Sequence, residues 1–236
     1  EKGDGYGYIQ YIKMNTKLIL PMAAAACLAT TQAQVTLDHF DEPASPGGQY
    51  LAVVGVTGAS GSSSAPITGL LADSRHVLVE LESVTGADSG AAEFSVNQVV
   101  SIDRSILSAI SNTDAKATLT YDNSTLGLGG LNLSSFPSLQ LFDANNDHLT
   151  HWSITLVDGS AASHTETAVK AAAFNGDINF DLSLFGAVNL ADIDKVVLVI
   201  DPQVAGGDAD LHALVAVPEP QEYALALGLI GLGFVA

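Results

Sequence analysis

One cysteine, Cys27, stands in 236 residues, and it falls in a segment expected to be removed. A mature chain without cysteine has neither disulfides nor thiolate chemistry, so core burial must hold the fold. Tryptophan is also single, and aromatics reach only 6%. A polysaccharide-cleaving cleft normally has more stacking surface than that supplies. Basic residues are scarce as well: 8 Lys and Arg oppose 26 Asp and Glu, a net charge of −18. Such a surface repels phosphate backbones, which excludes nucleic acid as a partner. It suits divalent cations, a neutral hydroxyl-rich partner, or simple solubility outside the cell. Catalytic signatures are missing too. "GASGS" at Gly58 lacks the last glycine of a nucleophile elbow, and there is no phosphate-binding Gly-x-x-x-x-Gly-Lys loop and no His-Glu-x-x-His pair. "GLGG" (Gly127–Gly130) precedes no helix, so it reads as a turn between strands rather than a phosphate cradle.

What is present begins with two apolar ends. Lys17 and the run "LILPMAAAACLATTQAQ" have the basic start, apolar stretch and small residues of a secretory signal, with cleavage between Ala33 and Gln34. The signal then covers residues 14–33, and residues 1–13 read as sequence upstream of the start at Met14. "AAAC" (Ala24–Cys27) offers a lipoprotein alternative. At the other end, Pro218 and Pro220 fix φ and lack an N–H, so "VPEP" makes a stiff spacer that ends the domain. Tyr223 to Ala236 is then uncharged and apolar, shorter than the ~20 residues of a bilayer-spanning helix.

This tail resembles the PEP-CTERM sorting signal, with Val217, Pro218, Glu219 and Pro220 as its motif and "ALALGLIGLGFVA" as its helix. That family places an arginine cluster after the helix; none follows Ala236 here, so the transmembrane helix is read as truncated. The resemblance implies export, transient inner-membrane association through the C-terminal helix, and processing by an exosortase-type membrane peptidase. It also implies a destination at the surface or in the extracellular matrix of a Gram-negative bacterium.

Between the ends, residues 34–216 have a hydrophobic period of two. "HVLVELESV" sets Val77, Val79 and Leu81 on one face, and "HWSITLVDG" does the same with Trp152, Ile154 and Leu156. "DINFDLSLF" predicts Ile178, Phe180, Leu182 and Leu184 inward, and "KATLTYDN" continues the pattern around Leu119 and Tyr121. "KVVLVIDP" is apolar on both faces and predicts a central strand. Turn signals at "GASGSSSAP", "TGADSG", "YDNSTLGLGG", "FDANND", "VDGSAAS" and "PQVAGGDAD" separate these runs. About ten short strands at that spacing predict an all-β, antiparallel β-sandwich, jelly-roll-like, with helix confined to "LADID" and the two ends. The body is similar to domains found ahead of this sorting signal, through "LDHFDEP", "ATLTYDNSTLGLGGLNL" and "ADIDKVVLVIDPQVAGGDADLHALVAVPEP", and its shape is similar to carbohydrate-binding jelly rolls.

Four groups of residues carry possible chemistry. Asp143, Asn145 and Asp147 in "DANND" place oxygen donors at alternate turn positions, as calcium prefers. The likeness to carbohydrate-binding jelly rolls, which often hold a calcium between the first strand and the last, implies a second arrangement joining Asp41 and Glu42 to Asp208 and Asp210. Both sets equally describe turn formers that cap their own backbone. His148 and His151 beside Asp147 could ligate a transition metal, but a strand starting at His151 turns them apart. For stacking on sugar, Tyr50, Tyr121, Phe142 and Trp152 are available; alternation sends Trp152 to the core and leaves Tyr121 as the preferred aromatic. The sequence thus favours a non-enzymatic, exported surface or matrix protein associated with exopolysaccharide, with structural calcium as an accessory. A secreted polysaccharide hydrolase and a purely structural matrix subunit are the alternatives.

Overall fold

The computed structural model describes residues 35–40, 49–67, 74–86, 89–96, 105–122 and 128–218. The signal segment with Ala33 and Gln34, Asp41 and Glu42, Glu219 and Pro220, and the apolar run 223–236 lie outside the described residues. Along the chain the strands are β1 (Val35–Asp38), β2 (Tyr50–Gly55), β3 (Ser60–Pro66), β4 (Ser74–Val84), β5 (Gly90–Val96), β6 (Ser105–Ala109) and β7 (Thr113–Tyr121). There follow β8 (Ser138–Asn146), β9 (Thr150–Asp158), β10 (Ser163–Lys170), β11 (Phe174–Asp181), β12 (Ile193–Pro202), β13 (Ala209–Leu211) and β14 (Ala213–Val217).

All pairings are antiparallel. One sheet has six strands in the order β10-β9-β12-β7-β4-β3; the other has eight, β1-β14-β8-β13-β6-β5-β2, with β11 on the far side of β8. The strands β13 and β14 lie along the same flank of β8, β13 opposite Asn145 and Asn146 and β14 opposite Ser138 to Phe142. The break between them falls at His212, and it lets β6 pair with β13 while β1 pairs with β14.

Alternation sorts the side chains. From the six-stranded sheet, Val77, Val79, Leu81, Ala117, Leu119, Trp152, Ile154, Leu156, Val196, Leu198 and Ile200 are buried. From the other, Leu37, Phe94, Leu107, Leu139, Leu141, Ile178, Phe180, Leu211, Leu214 and Ala216 join them in one core cluster. Each large aliphatic side chain so buried contributes ~1.5–3 kcal/mol, which is how a chain without cross-links meets the entropy of ordering. The strand β12 is central as expected, with β7 on one side and β9 on the other. Its outward Val197 and Val199 are half-buried between Thr120 and Thr155, and between Thr118 and Ser153.

Several expectations need correction. "SGSSSAP" is strand rather than turn, because β3 finds its backbone partners along the whole upper length of β4. "FDANN" is also strand: β8 runs to Asn146, so Asp143 and Asn145 lie in the sheet and the turn begins at Asp147. Leu184 is 55% exposed, not inward. The strand ends at Asp181, whose carboxylate accepts the Ser183 N–H at 2.8 Å and opens a 3-10 turn over Leu182–Phe185 that changes the period. "LADID" forms turn and strand rather than the expected helix, and the 3-10 turn lies earlier in the chain, at Leu182–Phe185. Val217 closes β14 and Pro218 follows it outside the strand.

Candidate functional site

Tyr121, the expected stacking residue, is fully buried. It occupies an inward position of β7 in step with Leu119 and Ala117, so its ring cannot reach a sugar, and its hydroxyl donates to Asp38 at 2.8 Å. Asp38 is the hub of an internal polar cluster. Arg75 on β4 pairs with it at 2.5 Å, with the two side chains 0% and 3% exposed. The Phe40 N–H donates to its other oxygen at 2.9 Å. The Arg75 guanidinium also donates to Gln49 at 2.9 Å and lies 4.8 Å from the Phe40 ring centroid, and Gln49 donates to the Ser63 carbonyl. A charge pair so deep is tolerated only when its remaining hydrogen-bonding capacity is met, as it is here. The cluster fastens β1 to the opposite sheet; it is buried and touches no surface.

The exposed aromatics are elsewhere. Phe142, 42% exposed, projects from β8 between the inward Leu141 and the Asp143 position, whose φ of 51° marks an irregularity in the strand. Its ring meets His212 edge-on, with centroids 5.7 Å apart and planes at 87°. The break at His212 between β13 and β14 is what places this side chain there. Thr36, His39, Phe142, His212, Ala213 and Val215 line an open groove of about 320 Å³ on this face of the eight-stranded sheet. Ala213 and Val215 are its apolar floor, alternating with inward Leu214 and Ala216. A polar rim runs beside it. Asp177 on β11 accepts Gln140 Nε2 at 3.2 Å and the Asp143 N–H at 3.0 Å, bridging the residues on either side of Phe142, and Gln140 also donates to Asn179 at 3.1 Å. Tyr50 is exposed too, on β2, with its hydroxyl donating to Glu93, which holds its pKa above the usual phenol value.

The two proposed calcium sets meet in part. Asp147 and Asp208 are adjacent, the Asp208 N–H donating to Asp147 Oδ1 at 2.7 Å, and Asp210 stands opposite Asn145. Asp208 also accepts the Ala109 N–H. Among the described residues no three His, Asp or Glu side chains gather as a metal site. His148 sits against Asp147 at 2.8 Å, while His151 lies on β9 opposite Asp201, so the two histidines diverge.

Two further carboxylate arrangements lie away from the groove. Asp158 accepts the Asn189 N–H, the Ser160 hydroxyl and N–H and the Ala162 N–H, and these donors pull its pKa down to about 2. It ties the β9–β10 turn to the loop before β12. On the outer face of the six-stranded sheet, Asp201 is pushed up to about 6 by burial and by the neighbouring Glu82 and Asp114, with Lys116 and His151 opposing. Burial and Glu82 raise Asp114 as well. Lys116 serves Glu82 at 2.6 Å and Glu80 at 3.5 Å. The signal for this cluster was in the sequence, as acidic residues at alternating outward positions; the shared row was not.

No protein-family profile and no curated protein matches the sequence. Among solved structures, the chain is similar to a family 11 carbohydrate-binding module of a cellulosomal cellulase of Clostridium thermocellum. That match has 12% identity over 79% of this chain and 96% of the other, with a TM-score of 0.40. It is also similar to part of an exo-beta-agarase, at 12% identity over 80% of this chain with a TM-score of 0.43. A family 29 carbohydrate-binding module solved with mannohexaose matches at 16% identity over 71% of this chain and 92% of the other, with a TM-score of 0.29. The chain spans 25% of that agarase's length, 26% of a second agarase's and 21% of a protein described as PfGH50B.

Proposed function

We propose that this is an exported, non-enzymatic, jelly-roll-like protein of the cell surface or extracellular matrix that holds exopolysaccharide in the Phe142 groove. The observation that carries this reading is the groove's composition. An exposed ring stands edge-on to His212 above an apolar floor, and beyond that ring, on the β11 side, amide and carboxylate groups of Gln140, Asn179 and Asp177 bond to one another. A pyranose has an apolar C–H face and equatorial hydroxyls, and such a combination of ring face and planar polar groups is what recognises both. Export rests on the signal segment and on the resemblance of Val217, Pro218, Glu219 and Pro220 with the following apolar run to the sorting signal. Handling by an exosortase-type peptidase follows from that resemblance. Against hydrolysis stands the position of the carboxyls whose pKa values are raised among the described residues: Asp114 and Asp201 lie on the opposite sheet from the groove.

The test is affinity electrophoresis of the full chain through gels carrying a panel of polysaccharides. Retardation is expected, and Phe142→Ala should abolish it at unchanged melting temperature, because that ring is 42% exposed. Failure of every glycan to retard the protein refutes the binding reading, and release of reducing sugar would move it to the hydrolases.

A further inference from the structure

We infer that two copies of this chain join edge to edge through β2, about a two-fold axis at Ala52. The strand β2 ends the eight-stranded sheet and, among the described strands, pairs with β5 alone. Antiparallel partners exchange backbone hydrogen bonds at every second residue. The Val96 N–H donates to the Gln49 carbonyl at 2.9 Å, and this sets the phase: Leu51, Val53 and Gly55 bond to β5. The N–H and C=O groups of Tyr50, Ala52 and Val54 therefore point away from β5, and no described residue takes them. The side chains of the same three residues are exposed, Val54 to 70%.

The other described edge strands are guarded against such pairing. The strand β1 has four residues and ends at Asp38, and β3 is built of serine and glycine and ends at Pro66. The strand β10 turns Glu166 and Lys170 toward its inner face, and β11 exposes Asp177 and Asp181. The sequence of β2, "YLAVVG", contains neither charge nor proline. Copies of a chain with a net charge of −18 repel one another except where carboxylates are missing, so an uncharged edge selects a second copy as its occupant. The Glu93 carboxylate on β5 accepts the Tyr50 hydroxyl; across the axis its two copies stand three strand spacings apart, about 14 Å, beyond the screening length of physiological salt. With the axis at Ala52, each Tyr50 faces the partner's Val54 and each Leu51 faces the partner's Val53. All the open backbone groups then find partners, and Tyr50 with Val54 makes an aromatic–β-branched pair of the kind that stabilises sheets. The Phe142 groove lies toward the other end of the strand order, beyond β5 and β6, so pairing leaves it open.

The experiment is sedimentation velocity of the full chain from about 1 to about 300 μM, a range that suits a small, transient interface. Dimer is expected to grow with concentration, and to grow further with added salt, which screens the repulsion between two acidic chains. Val54→Lys should weaken the dimer at least about tenfold with an unchanged circular dichroism spectrum, because lysine guards an edge and the position is exposed. Val169→Lys, exposed on the β10 edge, should leave the dimer unchanged. In a Cys27→Ser background, Ala52→Cys should cross-link under diamide, because residues opposed in a bonded pair have Cα atoms about 5.5 Å apart. Val54→Cys, displaced along the strand from its own copy by the two-fold, should not cross-link. A monomer throughout the concentration range would overturn the inference. A dimer that survives Val54→Lys, or that salt dissociates, overturns it by placing the contact on another surface. A cross-link at Val54→Cys without one at Ala52→Cys overturns the proposed axis.

Discussion

Replacing Arg75 with methionine isolates the internal polar cluster. Methionine keeps much of the aliphatic stem that covers Phe40 but removes the guanidinium, so Asp38 retains the Tyr121 hydroxyl and the Phe40 N–H and loses its counter-charge. Both partners are almost fully excluded from water. Leaving one member of such a pair costs ~3–5 kcal/mol, most of it the desolvation of the abandoned charge rather than lost attraction. The Gln49 side chain loses its donor as well, and with it part of the link from Gln49 to Ser63 on β3. For a domain of this size each kcal/mol moves the melting temperature by ~2–4 °C, so a fall of about 6–20 °C is expected. Asp38→Leu should fall in the same range because it abandons Arg75 instead. The double variant Arg75→Met with Asp38→Leu should recover much of the loss, since an apolar pair of similar volume needs no solvation. Guanidinium melts of the four proteins, read as a double-mutant cycle, measure this directly. A single-variant cost below about 1 kcal/mol would place the pair in effective contact with water and refute the reasoning.

The other predictions concern titration. Asp201 has a folded pKa raised to about 6 from an ordinary 3.8, so its contribution favours the fold below 3.8 and is lost as pH rises through about 6. Asp201→Asn should therefore raise the melting temperature at pH 7 to 8 and flatten its dependence between about pH 4 and 6; an unchanged slope would remove this residue from the account. Asp158 behaves oppositely: with its pKa lowered to about 2, it stabilises above 3.8, and that contribution is lost as pH falls toward 2. Asp158→Ala should melt lower at neutral pH and lose less on acidification than the parent, followed by circular dichroism.

How much of this was legible beforehand depends on the range of the interaction concerned. A period of two fixes which residues of one strand share a face, so Trp152, Ile154 and Leu156 could be assigned to the core and β12 to the centre of a sheet from residue order alone. Proline's fixed φ and missing donor likewise end the last strand at Val217 wherever the rest of the chain lies. The same rule could not say whether the tyrosine closing β7 would meet water. That was decided by Asp38, 83 residues earlier, and by Arg75, 37 residues from Asp38, which together make a buried hydroxyl affordable. Serine-rich β3 has no apolar pattern to announce it and is a strand because β4 offers it a partner. The Phe142 groove is also a product of assembly: a one-residue break at His212, an irregularity at Asp143 and the arrival of β1 and β11 on either flank bring together side chains that no local spacing links. Local periodicity is written residue by residue, whereas a site belongs to the packing of strands distant in the chain, and only the folded sheets contain it.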